Sequence, residues 1–213
     1  MPEPAQPHRL IHLDDDLLVI DKPAGLLSVP GRGPDKQDCL SRRVQAQVPG
    51  ALVVHRLDMA TSGLMLMARH SRSQTQLGQA FEARRVHKQY VAVVHGRLIG
   101  GDEWQLIDLP LAADWPRRPL QKVDHDRGKP SQTRWRVVER GTHSTRLLLE
   151  PQTGRSHQLR VHLQAIGHPI VGDALYANAA VDPATRLMLH ASALSLQHPD
   201  SALTLHFDSP APF

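Results

Sequence analysis

No apolar run in this chain of 213 residues is longer than five, and one of the longest, Leu64 to Ala68, is apolar on both faces. Five residues make a strand, far short of the roughly 20 that a membrane-spanning helix needs. A strand with no polar side belongs inside a sheet, with other structure covering both faces. The rest of the chain must then supply layers around a buried sheet.

The remaining pattern fits that demand. LLVIDKPAGLLSV (17–29) reads as two short strands broken at Lys22-Pro23, because proline cannot extend a central strand. PGRGPDK is a loop, residues 38–48 have helical periodicity, and residues 51–54 form a short buried strand leading into HRLD. Ser71 or Ser73 is expected to cap a helix whose Leu77, Ala80, Phe81 and Arg84 share a face and which ends at Arg84-Arg85. Tyr90 to His95 is a strand, and residues 104–150 alternate like an antiparallel meander with one long, basic, proline-containing loop. A helix follows Gly154, with Leu159, Leu163 and Ile166 on its apolar side and Gly167 as its stop. Residues 187–196 and 202–207 read as closing strands. Strands dominate and helices do not alternate strictly with them, which predicts an α+β fold built on a large, mostly antiparallel sheet. The proline-rich residues 1–8 read as a disordered tail and 9–213 as a single domain, with no repeat or linker.

Composition narrows the class. Cys39 is the only cysteine, so a disulfide framework and a thiolate metal cage are excluded and a reducing cytoplasm is the expected location. The start, MPEPAQPH, lacks the basic and apolar regions of a secretory signal. The net charge of +4 permits a polyanionic partner, and the basic residues are mostly arginine, with lysine only at 22, 36, 88, 122 and 129. The planar guanidinium suits phosphates and base faces, although arginine-rich coding in the genome gives the same composition.

Four segments carry polar residues where chemistry is possible. HRLDMATSG (55–63) lies between two buried strands, so Asp58 sits on a turn at a sheet edge beside Arg56. A carboxylate there serves as nucleophile or base, or else as a turn residue that bonds backbone amides and pairs with Arg56. In GRSHQLRVH (154–162) the helical spacing projects His157, Arg160 and Gln164 from one face, to meet either a carboxylate or solvent. KQY (88–90) opens a strand with Tyr90 and Ala92 on one face and Val91 and Val93 on the other. Tyr90 suits either a nucleotide contact or the edge of a core. Residues 115–136 carry seven arginines or lysines, among them Arg117, Arg118 and Lys122, with Trp115 and Trp135 flanking the loop. A basic loop bracketed by aromatics fits looped RNA, and fits a solvated hairpin as well.

Taken together, HRLDMATSG, KQY and GRSHQLRVH, with DKPAGLLSVPG (21–31) and GHPIVGDALY (167–176), closely resemble the motifs of the RluA family of pseudouridine synthases. The likeness runs from about residue 10 to Phe213. DWPRRPLQKV (114–123) and RGKPSQT (127–133) resemble the short, dual-specificity branch of that family, without the S4-like domain of longer relatives. The resemblance implies a pseudouridine synthase fold with helices and loops around a central active-site cleft, and a monomer that isomerises uridine in RNA without cofactor or metal. It implies Asp58 as the catalytic carboxylate, Arg160 as its basic partner and Tyr90 as the tyrosine against the target nucleotide. Arg56 would fill the space left by the flipped uridine, with His55 and Leu57 supporting the turn and Arg117, Arg118 and Lys122 contacting RNA. The implied substrates are uridine 32 of a tRNA anticodon stem-loop and uridine 746 of a 23S rRNA hairpin.

Within the resembled family the alternative is a synthase for a different tRNA or rRNA uridine, and two other classes compete. A metal-dependent hydrolase would use some of the 14 histidines, but His55/Asp58 and His157/His162 make neither an HExxH motif nor a Cys/His set. A non-catalytic RNA-binding module would be expected to lack Asp58 or Tyr90, and the chain has both.

Overall fold

The structure is a computed structural model, and it describes residues 8–177, 184 and 186–213. The expectation for residues 1–7 lies outside the described residues. Along the chain the strands are β1 (Arg9–Leu13), β2 (Leu17–Lys22), β3 (Leu52–Val53), β4 (Ser62–Ala68), β5 (His87–His95) and β6 (Gln105–Asp108). They continue as β7 (Leu111–Ala113), β8 (Gln121–Val123), β9 (Gln132–Arg140), β10 (Ser144–Pro151), β11 (Leu189–Gln197) and β12 (Thr204–Asp208). The helices are α1 (Leu40–Gln47), α2 (Ser71–Glu82) and α3 (Gln158–Ala165). Short helices and antiparallel strand pairs make this an α+β fold, and the described residues form two compact units, one drawn from 8–88 with 191–212 and the other from 89–177, 184, 186–190 and 213.

In the first unit β4 is the centre. It pairs antiparallel with β2, Ile20 opposite Met65 and Lys22 opposite Gly63, and it neighbours β11, which pairs with β12. All seven residues of β4 are buried, as a strand apolar on both faces requires. Leu64, Leu66 and Ala68 pack with Leu17, Val19, Leu77, Val86, Leu194 and Leu196, while Met65 and Met67 are buried with no exposure at all.

Two local expectations change. The cap of α2 is His70: its ring accepts from Ser73 N–H, and the Ser73 hydroxyl accepts from His70 N–H, so serine serves at the third helical position instead of the cap. The helix ends where expected. Arg84 adopts φ 57° and the Arg84 and Arg85 amides bond back to Phe81 and Ala80, a Schellman stop without glycine. The second strand expected after Lys22-Pro23 reduces to one bridge between Leu27 and Cys39, because the backbone there curls around the Lys22 side chain.

In the second unit residues 90–95 of β5 pair with β10, β10 with β9 and β9 with β6, all antiparallel. Helix α3 packs against β8, β9 and β10. The register puts Tyr90 opposite Leu149 and Leu149 opposite Trp135, so Tyr90 shares the face that α3 covers, with Ala92 and away from Val91 and Val93. The hairpin β7–β8 carries the basic loop at its turn.

Gly63 is the tightest point of the first unit. Its φ is +109°, and a Cβ there would lie 2.3 Å from the Ala191 carbonyl oxygen and 2.6 Å from the Ala191 nitrogen. Backbone cannot yield as a flexible side chain does. Gly63→Ala should therefore destabilise the protein by about 3 kcal/mol or more, read as a lower urea midpoint by circular dichroism; an unchanged midpoint contradicts the close approach.

Candidate active site

The turn that carries Asp58 is held from both sides. The Ser28 hydroxyl donates to the Leu57 carbonyl at 2.6 Å and accepts from the Leu57 amide at 3.1 Å. On the other side the Met59 carbonyl accepts from the Gly25 amide at 2.8 Å and from Lys22 Nζ at 3.1 Å. Lys22 is fully buried, and its ammonium also donates to the carbonyls of Pro23 (2.9 Å) and Leu26 (2.8 Å). Three N–H donors thus meet three carbonyls, which compensates the burial of the charge. The Asp58 carbonyl accepts from the Thr61 amide at 3.1 Å and closes the turn, leaving the Asp58 side chain half-buried. By sequence the segment 21–31 is only a flank of the motifs, yet Lys22, Gly25 and Ser28 are the residues that fix the turn.

His55 ties the start of the turn to β4. Its Nε2 accepts from the Leu66 amide at 2.9 Å, and its ring stacks on Phe81 with centroids 4.5 Å apart. Burial, reinforced by the nearby Lys88 charge, pushes its pKa down to about 3. His55 is therefore neutral at physiological pH and offers no ion pair to a phosphate. Arg56, next in sequence, is exposed.

In the second unit the segment GRSHQLRVH is bound by its polar side chains. Gln158 is buried and uses its whole amide: Oε1 accepts from Thr153 Oγ1 and the Arg155 amide, and Nε2 donates to the Gln132 carbonyl and Thr133 Oγ1. His162 is fully buried between Thr133 Oγ1 (2.9 Å) and the Leu109 carbonyl (3.0 Å), and burial lowers its pKa. Arg160 is 4% exposed and grips Asp173 with two N–H groups, Nε to Oδ2 at 2.8 Å and Nη2 to Oδ1 at 2.6 Å. A charge-assisted fork of this kind fixes a guanidinium in both position and plane. The expected shared face of His157, Arg160 and Gln164 is not one surface: Arg160 is buried, Gln164 is exposed, and every residue from Gln158 to Leu163 is buried. Asp173 and Tyr176, which hold Arg160 and His157, lie in GHPIVGDALY, a segment that the sequence marks only as a flank of the motifs.

The basic segment is more ordered than a solvated loop. Trp115 is 68% exposed, and the Arg118 guanidinium lies 3.2 Å above its ring centre. Arg117 is paired with Asp114, and Lys122 with Asp124 at 3.0 Å. Trp135 is a correction: strand alternation turns Thr133, Trp135 and Val137 inward and Arg134 and Arg136 outward. The ring those two arginines approach is Trp104, at 4.7 and 5.2 Å. Among the described residues no group of three or more His, Cys, Asp or Glu is placed to hold a metal ion, and no helix is long and apolar enough to cross a membrane.

Known proteins resemble this chain over most of its length. Residues 16–165 match the family model described as RNA pseudouridylate synthase. The chain is 51% identical over 198 residues to the dual-specificity RNA pseudouridine synthase RluA of Vibrio vulnificus, covering 90% of this chain and 78% of the relative. It is 47% identical over 206 residues to the enzyme of the same description from Escherichia coli K12, covering 96% and 93%. Among solved structures, human RNA pseudouridylate synthase domain containing 1 superposes with a TM-score of 0.82 at 29% identity, over 100% of this chain and 87% of that one. Human RNA pseudouridylate synthase domain containing 4 shares the fold, with a TM-score of 0.77 at 24% identity over 96% and 88%.

Two outcomes follow from the first unit. Lys22→Met deprives three carbonyls of a buried donor and should cost roughly 2–5 kcal/mol, seen as a lower urea midpoint; a wild-type midpoint refutes the anchoring role. His55 has a folded pKa below its unfolded value near 6.5, so the unfolded chain binds the extra proton. Its contribution is intact above about pH 6.5 and declines as pH falls toward 3. The urea midpoint of the wild type should therefore fall more steeply than that of His55→Gln between pH 6.5 and 4. Parallel pH profiles exclude a neutral buried imidazole.

Proposed function

The chain belongs to the RNA pseudouridylate synthase family and isomerises uridine in RNA to pseudouridine, and we propose that Asp58 is the carboxylate that carries the reaction. The single observation behind this choice is the buttressing of its turn, with Leu57 bonded twice to Ser28 and Met59 held by Lys22 and Gly25. A nucleophile is effective when its backbone is fixed before substrate arrives.

Isomerisation breaks the C1′–N1 bond, turns the base, forms a C1′–C5 bond, releases the C5 proton and takes up one proton at N1. Atoms and oxidation state are conserved, so a side-chain carboxylate suffices, acting at C1′, at C6, or by assisting elimination to a glycal. Arg160 is the basic residue of this reading, and its fork with Asp173 holds the guanidinium rigid in position and plane. Tyr90 packs against the target nucleotide. Arg56 enters the stack that the uridine vacates, offsetting part of the few kcal/mol that flipping costs. Arg118 on Trp115, with Arg117 and Lys122, meets the RNA backbone and bases. Residues 9–213 act as one catalytic domain.

The dual specificity named for the relatives from Vibrio vulnificus and Escherichia coli supports two substrates here. These are uridine 32 of a tRNA anticodon stem-loop and uridine 746 of a 23S rRNA hairpin, read by one protein through a shared hairpin shape. The enzyme acts as a cytoplasmic monomer.

The test uses both transcripts. Chemical mapping should find pseudouridine at both positions after incubation with the wild type. Asp58→Asn should lower the single-turnover rate on the order of a thousandfold while leaving RNA affinity unchanged. A near-wild-type rate in that variant removes Asp58 from its role, and an unmodified anticodon stem-loop removes the dual substrate while leaving the reaction class.

A further inference from the structure

The basic hairpin and helix α3 are joined through one phenol. The Tyr176 hydroxyl accepts from the Gln121 amide at 2.8 Å and is hydrogen-bonded to His157 Nδ1 at 2.7 Å. A phenol has one donor and can accept as well, so the O–H is available to Nδ1 while a lone pair takes the amide. Gln121 is the first residue of β8, immediately after the turn that carries Trp115, Arg117 and Arg118. His157 is the residue from which α3 starts.

The ring of Tyr176 is held as firmly as its hydroxyl. It is 7% exposed and packs with Leu111 of β7 and Val161 of α3, with Leu120 and Val123 against the same cluster. The Arg160 guanidinium lies 5.1 Å from its centre, and the His157 ring meets it edge-on at 5.6 Å and 84°. Asp173 Oδ1 accepts from Arg160 and also from the amides of Leu175 (3.0 Å) and Tyr176 (3.2 Å). One short turn therefore holds Arg160 by its aspartate and the hairpin by its tyrosine.

His157 adds a second mark. Its φ of 53° is in the left-handed region, which costs a non-glycine residue on the order of 1 kcal/mol and persists where surrounding contacts enforce it. The bond to Tyr176 is such a contact, at the entry to the helix that carries Arg160.

From these contacts we infer that Tyr176 is a positioning residue that sets the basic hairpin in register with Arg160 and so orders the hairpin for RNA binding. This rests on the reading above, in which the hairpin meets RNA and Arg160 serves the reaction. Phenylalanine at this position removes the bonds of the hydroxyl and keeps the ring, the apolar packing and the cation–π contact.

Tyr176→Phe tests it on the anticodon stem-loop, with RNA dissociation constant and saturating single-turnover rate measured separately. The expected result is affinity weaker by about tenfold and a saturating rate within about threefold of wild type. Arg118→Ala supplies the control. It should weaken affinity in the wild type, and weaken it much less in the Tyr176→Phe background, because the hairpin is already out of register. Wild-type affinity in Tyr176→Phe overturns the inference, whatever its urea midpoint, since a purely structural residue would lower stability alone. Fully additive losses in the double variant also overturn it. If Arg118→Ala changes nothing in the wild-type background, the reading of the hairpin as an RNA contact fails, and the inference falls with it.

Discussion

Burying an ammonium group without partners is among the most costly things a fold can do, and Lys22 is buried completely. Its charge is tolerated because the chain reverses after β2 and presents the carbonyls of Pro23 and Leu26, while the turn after β3 presents that of Met59. The ammonium draws on all three carbonyls, which belong to segments that would otherwise be independent loops. Pro23 ends β2 at the point where the backbone must turn to wrap the ammonium, so the break in the strand and the anchor of the Asp58 turn have one cause. The buried faces of β2 and β4 then keep Lys22 from escaping to solvent.

The second unit reaches rigidity by a similar route with different groups. Gln158 makes four hydrogen bonds, to Thr153, Arg155, Gln132 and Thr133, and Arg160 and Asp173 form a closed fork. Helix α3 has only eight residues, too few to be stable through helix propagation alone. Its stability comes from burial and from these polar contacts, so Gln158 and Arg160 also hold the helix in place. In both units the candidate residues lie on short segments made stiff by side-chain hydrogen bonds.

Much of this was legible in the chain. The two-faced apolar character of Leu64 to Ala68 requires burial wherever the strand lies, and β4 is fully buried. The alternation around Tyr90 sets its face before any partner is known, and its register with Leu149 agrees. Where the expectation and the structure differ, the deciding feature is a neighbour within the same element. Ser71 and Ser73 are good caps by type, but His70 is placed to accept from the Ser73 amide, and a side chain already in position prevails over intrinsic preference. Trp135 looked like one side of an aromatic bracket because periodicity was not carried across the basic segment; continued along β9, it turns the ring inward.

The sequence by itself determined the class of fold, the family motifs and the residues that can do chemistry, because hydrophobic period and residue type are local properties. It did not determine which residues hold them. Lys22 reaches Met59 across 37 positions and Tyr176 reaches Gln121 across 55. Neither pair leaves a trace in spacing or composition, since a periodic pattern specifies the face on which a side chain lies and not the partner that arrives there. Those partners exist only once the strands have paired and the turns have closed, and so the tertiary structure alone decided that a buried lysine, an aspartate and a tyrosine position the groups that the motifs name.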